Sequence, residues 1–243
     1  IQTKKRYRHE CVVPIKSNSK NGPGRSKVMI TLDLNVTFHV PRLAVRSAGI
    51  KVELREILLR DKPSAFLAAS ATKTVPVLEL DDGRVIEESR DIMFWALKTT
   101  QDPEGWLAPH TKDAGAVSAF FERLDGPFKQ HLDRYKYATR FAENKKVIAE
   151  NQVIHRTEGA VFLGEIEALL SKQACLSGAK IGILDFGCLP FIRQFRLADM
   201  HWFDAQDWPH LHRWLAAFLV SDRFSQIMEK YPPWQPEQAP VYF

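Results

Sequence analysis

A chain of 243 residues, 45% of them hydrophobic, is long enough to bury a full core as one large domain or two small ones. No apolar run approaches the ~18 residues of a membrane-spanning helix, which argues against a helical spanning protein and a membrane partner. The net charge of +5 is concentrated in residues 1–26, where seven Lys and Arg face Glu10 alone for +6; the remainder therefore carries −1, and a basic nucleic-acid-binding body is not expected.

Cys11, Cys175 and Cys188 show no CxxC or metal-ligand spacing, and their odd count argues against a disulfide framework, so a reducing, cytoplasmic setting without a metal is expected. Residues 1–26 read as a disordered basic leader, with Asn18 to Ser26 a connector of Asn, Lys, Gly, Pro and Ser. Clustered Lys and Arg also suit a targeting or nucleic-acid arm, but no amphipathic stripe or basic-aromatic repeat accompanies them. The chain begins at Ile1, as a fragment or a misplaced start would.

Lys27 to Leu34 is β-rich, and Lys51 to Ile57 alternates polar and apolar residues with the period of a strand. Between them Pro41 to Ala48 reads as a short helix with Gly49 just past its end; Pro41 disfavours helical geometry at Val40 and predicts a late helix start. Thr72 to Leu80 contains a strand opened by Pro76, which lacks an N–H and so suits a strand's first position. Asp82-Gly83 then predicts a tight turn, followed by a second short strand and a helix beginning at Ser89, whose first free N–H groups can receive a carboxylate. These parts form an α+β, thioredoxin-like half over residues 27–101.

Asp102-Pro103-Glu104-Gly105 breaks the pattern and marks a linker over 102–110. From Thr111 the period is 3.6, with Val117, Phe120, Phe121 and Leu124 on one segment, Val161, Leu163, Ile166, Leu169 and Leu170 on the next, and Trp214, Leu215, Phe218 and Leu219 on a third. No strand signal recurs, so residues 111–243 are expected to form an all-α helical bundle. Within it, Gly182-Ile183-Leu184-Asp185 opens a very apolar helix, Phe186 to Phe195.

The proline-led strand with its Glu88-Ser89 helix start resembles the glutathione site of the glutathione transferases, in their bacterial, omega-like branch, and the likeness runs from about Lys27 to the C-terminus. It implies glutathione as co-substrate, with Thr74 and Val75 beside a cis peptide bond to Pro76, the Val75 backbone pairing with the cysteinyl part, Glu88 and Ser89 holding the γ-glutamyl end, and Lys62 meeting the glycyl carboxylate. It also implies a symmetric homodimer, for which Phe94 and Trp95 offer surplus apolar surface. The Gly182 to Asp185 stretch falls where the family carries a Ser or Thr helix cap followed by Asp.

The family's reactive residue, most often cysteine, falls at Asn35, followed by Val36 and Thr37; no Cys, Ser or Tyr lies between Lys27 and Arg46. An amide or hydroxyl can lower the pKa of a bound thiol but cannot form a mixed disulfide with it. The resemblance then implies conjugation of glutathione to an unidentified electrophilic small molecule, a detoxification chemistry with Asn35 or Thr37 steadying the thiolate and no thiol-disulfide reductase activity. The alternatives are that Asn35 and Thr37 are ordinary loop residues and that the chain is a non-catalytic binding or interaction protein of this fold, like the stringent starvation proteins. His39 reads as a solvated loop histidine, Arg134, Tyr135 and Tyr137 as packing residues on a helix near the family's electrophile pocket, and His210 and His212, two apart on a helix, as no chelating pair.

Overall fold

The structure, a computed structural model, describes residues 27–31 and 39–243; the basic leader 1–26 and the segment holding Asn35 and Thr37 lie outside the described residues. Strands β1 (Lys27–Thr31) and β2 (Glu53–Ile57) pair in parallel around helix α1 (His39–Ser47). Helix α2 (Ser64–Ala69) leads to β3 (Val77–Glu79), antiparallel to β1 with Leu78 opposite Val28, and β4 (Val85–Ile86) closes a hairpin on β3. Gly83, at φ 82°, turns that hairpin, as Asp82-Gly83 predicts. Helix α3 (Ser89–Thr99) packs on α1 over the sheet and buries Ile92, Met93, Ala96 and Leu97. Phe94 and Trp95 are half-buried and pack against the core of their own chain, Phe94 edge-on to Phe121.

The connection between the halves turns at Gln101 and Asp102, both with positive φ, and the Asp102 carboxylate accepts from the backbone N–H of Trp106 at 2.9 Å and Leu107 at 2.7 Å. Helices α4 (Ala108–Lys112), α5 (Ala114–Arg123), α6 (Lys129–Lys136), α7 (Lys145–Leu170), α8 (Ile183–Ala198), α9 (Met200–Asp204), α10 (Pro209–Leu219) and α11 (Asp222–Ile227) follow. Between α5 and α6 the chain widens into one π turn, Leu124–Phe128, where Pro127 has no N–H to give. Two sequence expectations fail here. The helical half is not free of strands, since β5 (Val241–Tyr242) pairs antiparallel with β2 and completes the order β4-β3-β1-β2-β5. Nor does Pro41 delay α1: the helix starts at His39, because a proline in the first turn withholds only an N–H that has no helical partner.

Helix α8 is the buried axis of the helical half, with Phe186 stacked on Trp106 at 3.9 Å and Gly187 leaving room for the Phe121 ring. Its N-terminus shows why glycine can stand where a hydroxyl cap is usual. The Ser177 hydroxyl accepts from Leu184 N–H at 3.2 Å, the bond a capping serine would make, while Asp185 accepts from Gly182 N–H at 3.0 Å. A Cβ at Gly182 would lie 2.9 Å from the Ser177 side chain. Gly182→Ser alone is therefore expected to lower stability by about 1 kcal/mol or more, and Ser177→Gly with Gly182→Ser to recover most of the loss. Urea unfolding of the single and double variants checks this; additive losses would show that the two positions do not share one capping role.

Candidate functional site

A cleft of about 370 Å³ opens between the two halves. Its first-half wall is Leu59, Lys62, Lys73, Thr74 and Val75; its helical wall draws on Lys129, Leu132, Asp133 and Lys136 of α6, Tyr137, Arg140 and Phe141 just beyond it, and Phe191 and Gln194 of α8. Three of the sequence-predicted residues, Lys62, Thr74 and Val75, thus meet in one cavity. The Val75–Pro76 peptide bond is cis, Pro76 is buried, and no hydrogen bond to the Val75 backbone occurs among the described residues. Lys62 crosses to donate to the Lys73 carbonyl at 2.9 Å, and the Thr72 and Thr74 hydroxyls bond each other at 2.6 Å.

Glu88 caps α3 with its backbone, its exposed side chain making no capping bond, and Ser89 is the first residue of the helix. The free N–H groups of that first turn favour an anion. The preceding residue, Glu87, which sequence reasoning passed over, is the acid that shapes the loop. Its carboxylate accepts from Thr72 N–H at 3.1 Å, from the Ser70 hydroxyl at 2.7 Å and from the Thr72 hydroxyl at 3.1 Å, and these bonds hold it below the usual carboxylate range. Glu87 therefore positions residues 70–74 and leaves Glu88 uncommitted. Across from α3, burial pushes the Asp125 carboxyl up against the opposing pull of Arg90, whose guanidinium is 3.4 Å away.

His39 corrects its expectation as a solvated loop histidine. It opens α1, is 7% exposed, and among the described residues neither ring nitrogen has a hydrogen-bond partner. Burial, reinforced by the charges of Arg193 and Arg42, lowers its pKa to about 4, so the ring is neutral at neutral pH. Tyr135 is buried against Phe195, whereas Tyr137 lines the cleft, and Arg134 stands over the Phe141 ring. His210 is held by Glu167 at 2.6 Å and His212 by the Phe203 carbonyl. A closer histidine pair, His131 and His155 with Nδ1 atoms 2.9 Å apart, joins α6 to α7 and has no sequence signal, because 24 residues separate its members. Burial pushes the Cys175 and Cys188 thiols up, Cys188 being wholly enclosed, so neither favours a thiolate.

An unfolded His39 binds a proton near pH 6.5 that the folded chain refuses until about 4. Stability should accordingly fall as pH drops through that window, by up to about 3 kcal/mol, with no contribution to the slope above it. Denaturant midpoints across pH 4–7 should show this slope in the wild type and a flatter one in His39→Gln; equal slopes would mean that His39 is solvated.

Sequence and structure comparisons identify the family and the fold. Residues 38–104 match the family model described as glutathione S-transferase, N-terminal domain, and residues 160–217 match its C-terminal domain. Among solved structures, the chain is similar to a glutathione transferase family member from Pseudomonas fluorescens with two glutathione bound, at 16% identity and TM-score 0.68, covering 87% of this chain and 95% of that one. A glutathione transferase homolog from Sulfitobacter with bound glutathione, at 11% identity and TM-score 0.68, covers 84% and 96%. A glutathione S-transferase from Rhodospirillum rubrum, at 18% identity and TM-score 0.65, covers 88% and 96%. No curated protein matches the chain in sequence.

Proposed function

Because the chain belongs to the glutathione S-transferase family, we propose that its cleft binds glutathione and stabilises the thiolate for attack on an electrophilic carbon of a small molecule. One observation carries the reading: the Val75 backbone and the Glu88-Ser89 start of α3, both without hydrogen-bond partners among the described residues beyond the helix's own, flank the same loop, which Glu87 holds in place. In this arrangement Val75 N–H and C=O take the cysteinyl backbone, the first turn of α3 with Ser89 takes the γ-glutamyl carboxylate, and Glu88 takes the ammonium. Lys62 takes the glycyl carboxylate, and its bond to the Lys73 carbonyl keeps it over the cleft.

The chemistry asked of the protein is modest. The glutathione sulfur gives up its proton to solvent, forms a C–S bond to the electrophile, and the leaving group departs with its electron pair. A hydrogen bond from Asn35 or Thr37 and the N-terminal end of α1 favour the thiolate, and no covalent enzyme intermediate forms. The raised thiols of Cys175 and Cys188 support the absence of reductase chemistry. A non-catalytic binding role is favoured by one feature, the lack of any Cys, Ser or Tyr between Lys27 and Arg46. A symmetric dimer rests on family likeness, and a cytoplasmic setting on the three cysteines with no disulfide pattern.

Glu88→Ala should weaken glutathione binding by roughly ten- to a hundredfold, as for a hydrogen bond to a charged group, while leaving folding intact. Calorimetry giving equal affinities would remove Glu88 from the site. Asn35→Ala should slow conjugation of 1-chloro-2,4-dinitrobenzene with glutathione affinity unchanged, and Asn35→Cys should introduce reductase turnover. A wild type that binds glutathione yet conjugates nothing, with Asn35→Ala indistinguishable from it, would establish the binding-only alternative.

A further inference from the structure

The cleft gathers five cationic side chains, Lys62, Lys73, Lys129, Lys136 and Arg140, around a single carboxylate, Asp133. Lys129 takes that carboxylate at 2.8 Å. The other four have only neutral partners among the described residues, or none. Lys62 donates to the Lys73 carbonyl, Lys136 to the Gln194 amide oxygen, and the Arg140 guanidinium lies 4.0 Å over the Tyr137 ring. Like charges that share one small volume repel, and an entering anion relieves them.

Glutathione accounts for part of this charge, since Lys62 on the first-half wall answers its glycyl carboxylate. Lys136 and Arg140 stand on the opposite, helical wall, where Leu132, Phe141 and Phe191 supply apolar surface. A glutathione thiolate carries net negative charge, so an anionic partner would be repelled by it in water. Resting on the transferase reading above, we propose that the second substrate is an organic anion, an aromatic or other apolar body bearing a carboxylate or sulfonate. Its charged group meets Lys136 and Arg140, and its body lies on Leu132, Phe141 and Phe191. The guanidinium offers a planar fork for a carboxylate or sulfonate, and the Tyr137 face restricts its plane. The same two cations offset the repulsion between the electrophile and the thiolate.

The test uses 3,5-dinitrobenzoate and its uncharged counterpart 3,5-dinitrobenzamide, which have no leaving group and so report binding alone, titrated calorimetrically without glutathione. Wild type should prefer the benzoate by about tenfold, the scale of two partly solvated ion pairs. The preference should vanish in K136Q/R140Q and return in the charge-retaining K136R/R140K, while glutathione affinity stays the same in all three proteins. Equal binding of benzoate and benzamide by wild type, or a preference that survives in K136Q/R140Q, overturns the proposal. So does a loss of glutathione affinity in K136Q/R140Q, which would assign the two cations to the tripeptide. A wild type that ignores glutathione but keeps the benzoate preference supports the anion site and overturns the transferase reading alone.

Discussion

The helical half is organised around one buried carboxylate. Asp185 is fully enclosed and accepts four hydrogen bonds, from Leu176 N–H at 2.7 Å, Ser177 N–H at 2.9 Å, Gly182 N–H at 3.0 Å and the Trp214 indole at 2.8 Å. Removing a carboxylate from water costs several kcal/mol unless its lone pairs are satisfied, and here four donors from three chain segments satisfy them. The same group sits in the first turn of α8, where the helix dipole favours negative charge. It thereby fixes where α8 begins, which way it runs, and how the preceding loop and α10 meet it. About two turns on, α8 presents Phe191 and Gln194 to the cleft and Arg193 to the neighbourhood of His39.

The first half depends on a comparable but smaller arrangement. Arg42 on α1 pairs with Glu56 on β2 at 2.9 Å in the interior, and also donates to the carbonyls of Ile227 and Glu229. One guanidinium so joins α1, the sheet and the end of the helical half. The tail continues along the sheet: Trp234 N–H bonds the Glu56 carbonyl at 2.7 Å, its ring lies under Arg55, and β5 adds to β2. These ties hold the two halves as walls of one cleft, so that Lys62 and Val75 on one side face Lys136 and Phe191 on the other. The proposed chemistry draws on both walls, since one offers the Val75 backbone with Lys62 and the other charge with apolar surface.

What could be read from sequence was whatever local chemistry dictates. A proline without an N–H marks the start of β3, Asp82-Gly83 marks the hairpin, and the run from Gly182 to Asp185 marks the head of α8, each within a few residues. The features that escaped are made by residues far apart in the chain. β5 has two residues and no alternation of its own, and exists only because the chain end reaches β2. Ser177 replaces a cap across a loop, a substitution visible only once the loop closes. Glu87 and Glu88 are identical letters, and the loop from Ser70 to Thr72 decides which of them is engaged. The burial of His39 beside Arg42 of its own helix and Arg193 of α8, and the charge of the cleft, drawn from segments some seventy residues apart, emerge only when the chain folds.

The central claim is that the Val75 loop and the start of α3 together form the glutathione site. Its most direct test is an amide-resolved NMR titration of ¹⁵N-labelled protein with reduced glutathione. The account predicts saturable shifts, with one common dissociation constant, at the Val75, Ser89 and Arg90 amides, and unmoved signals around the distant His131–His155 pair. Saturable shifts that leave these three amides in place, or no shifts at millimolar glutathione, would contradict it.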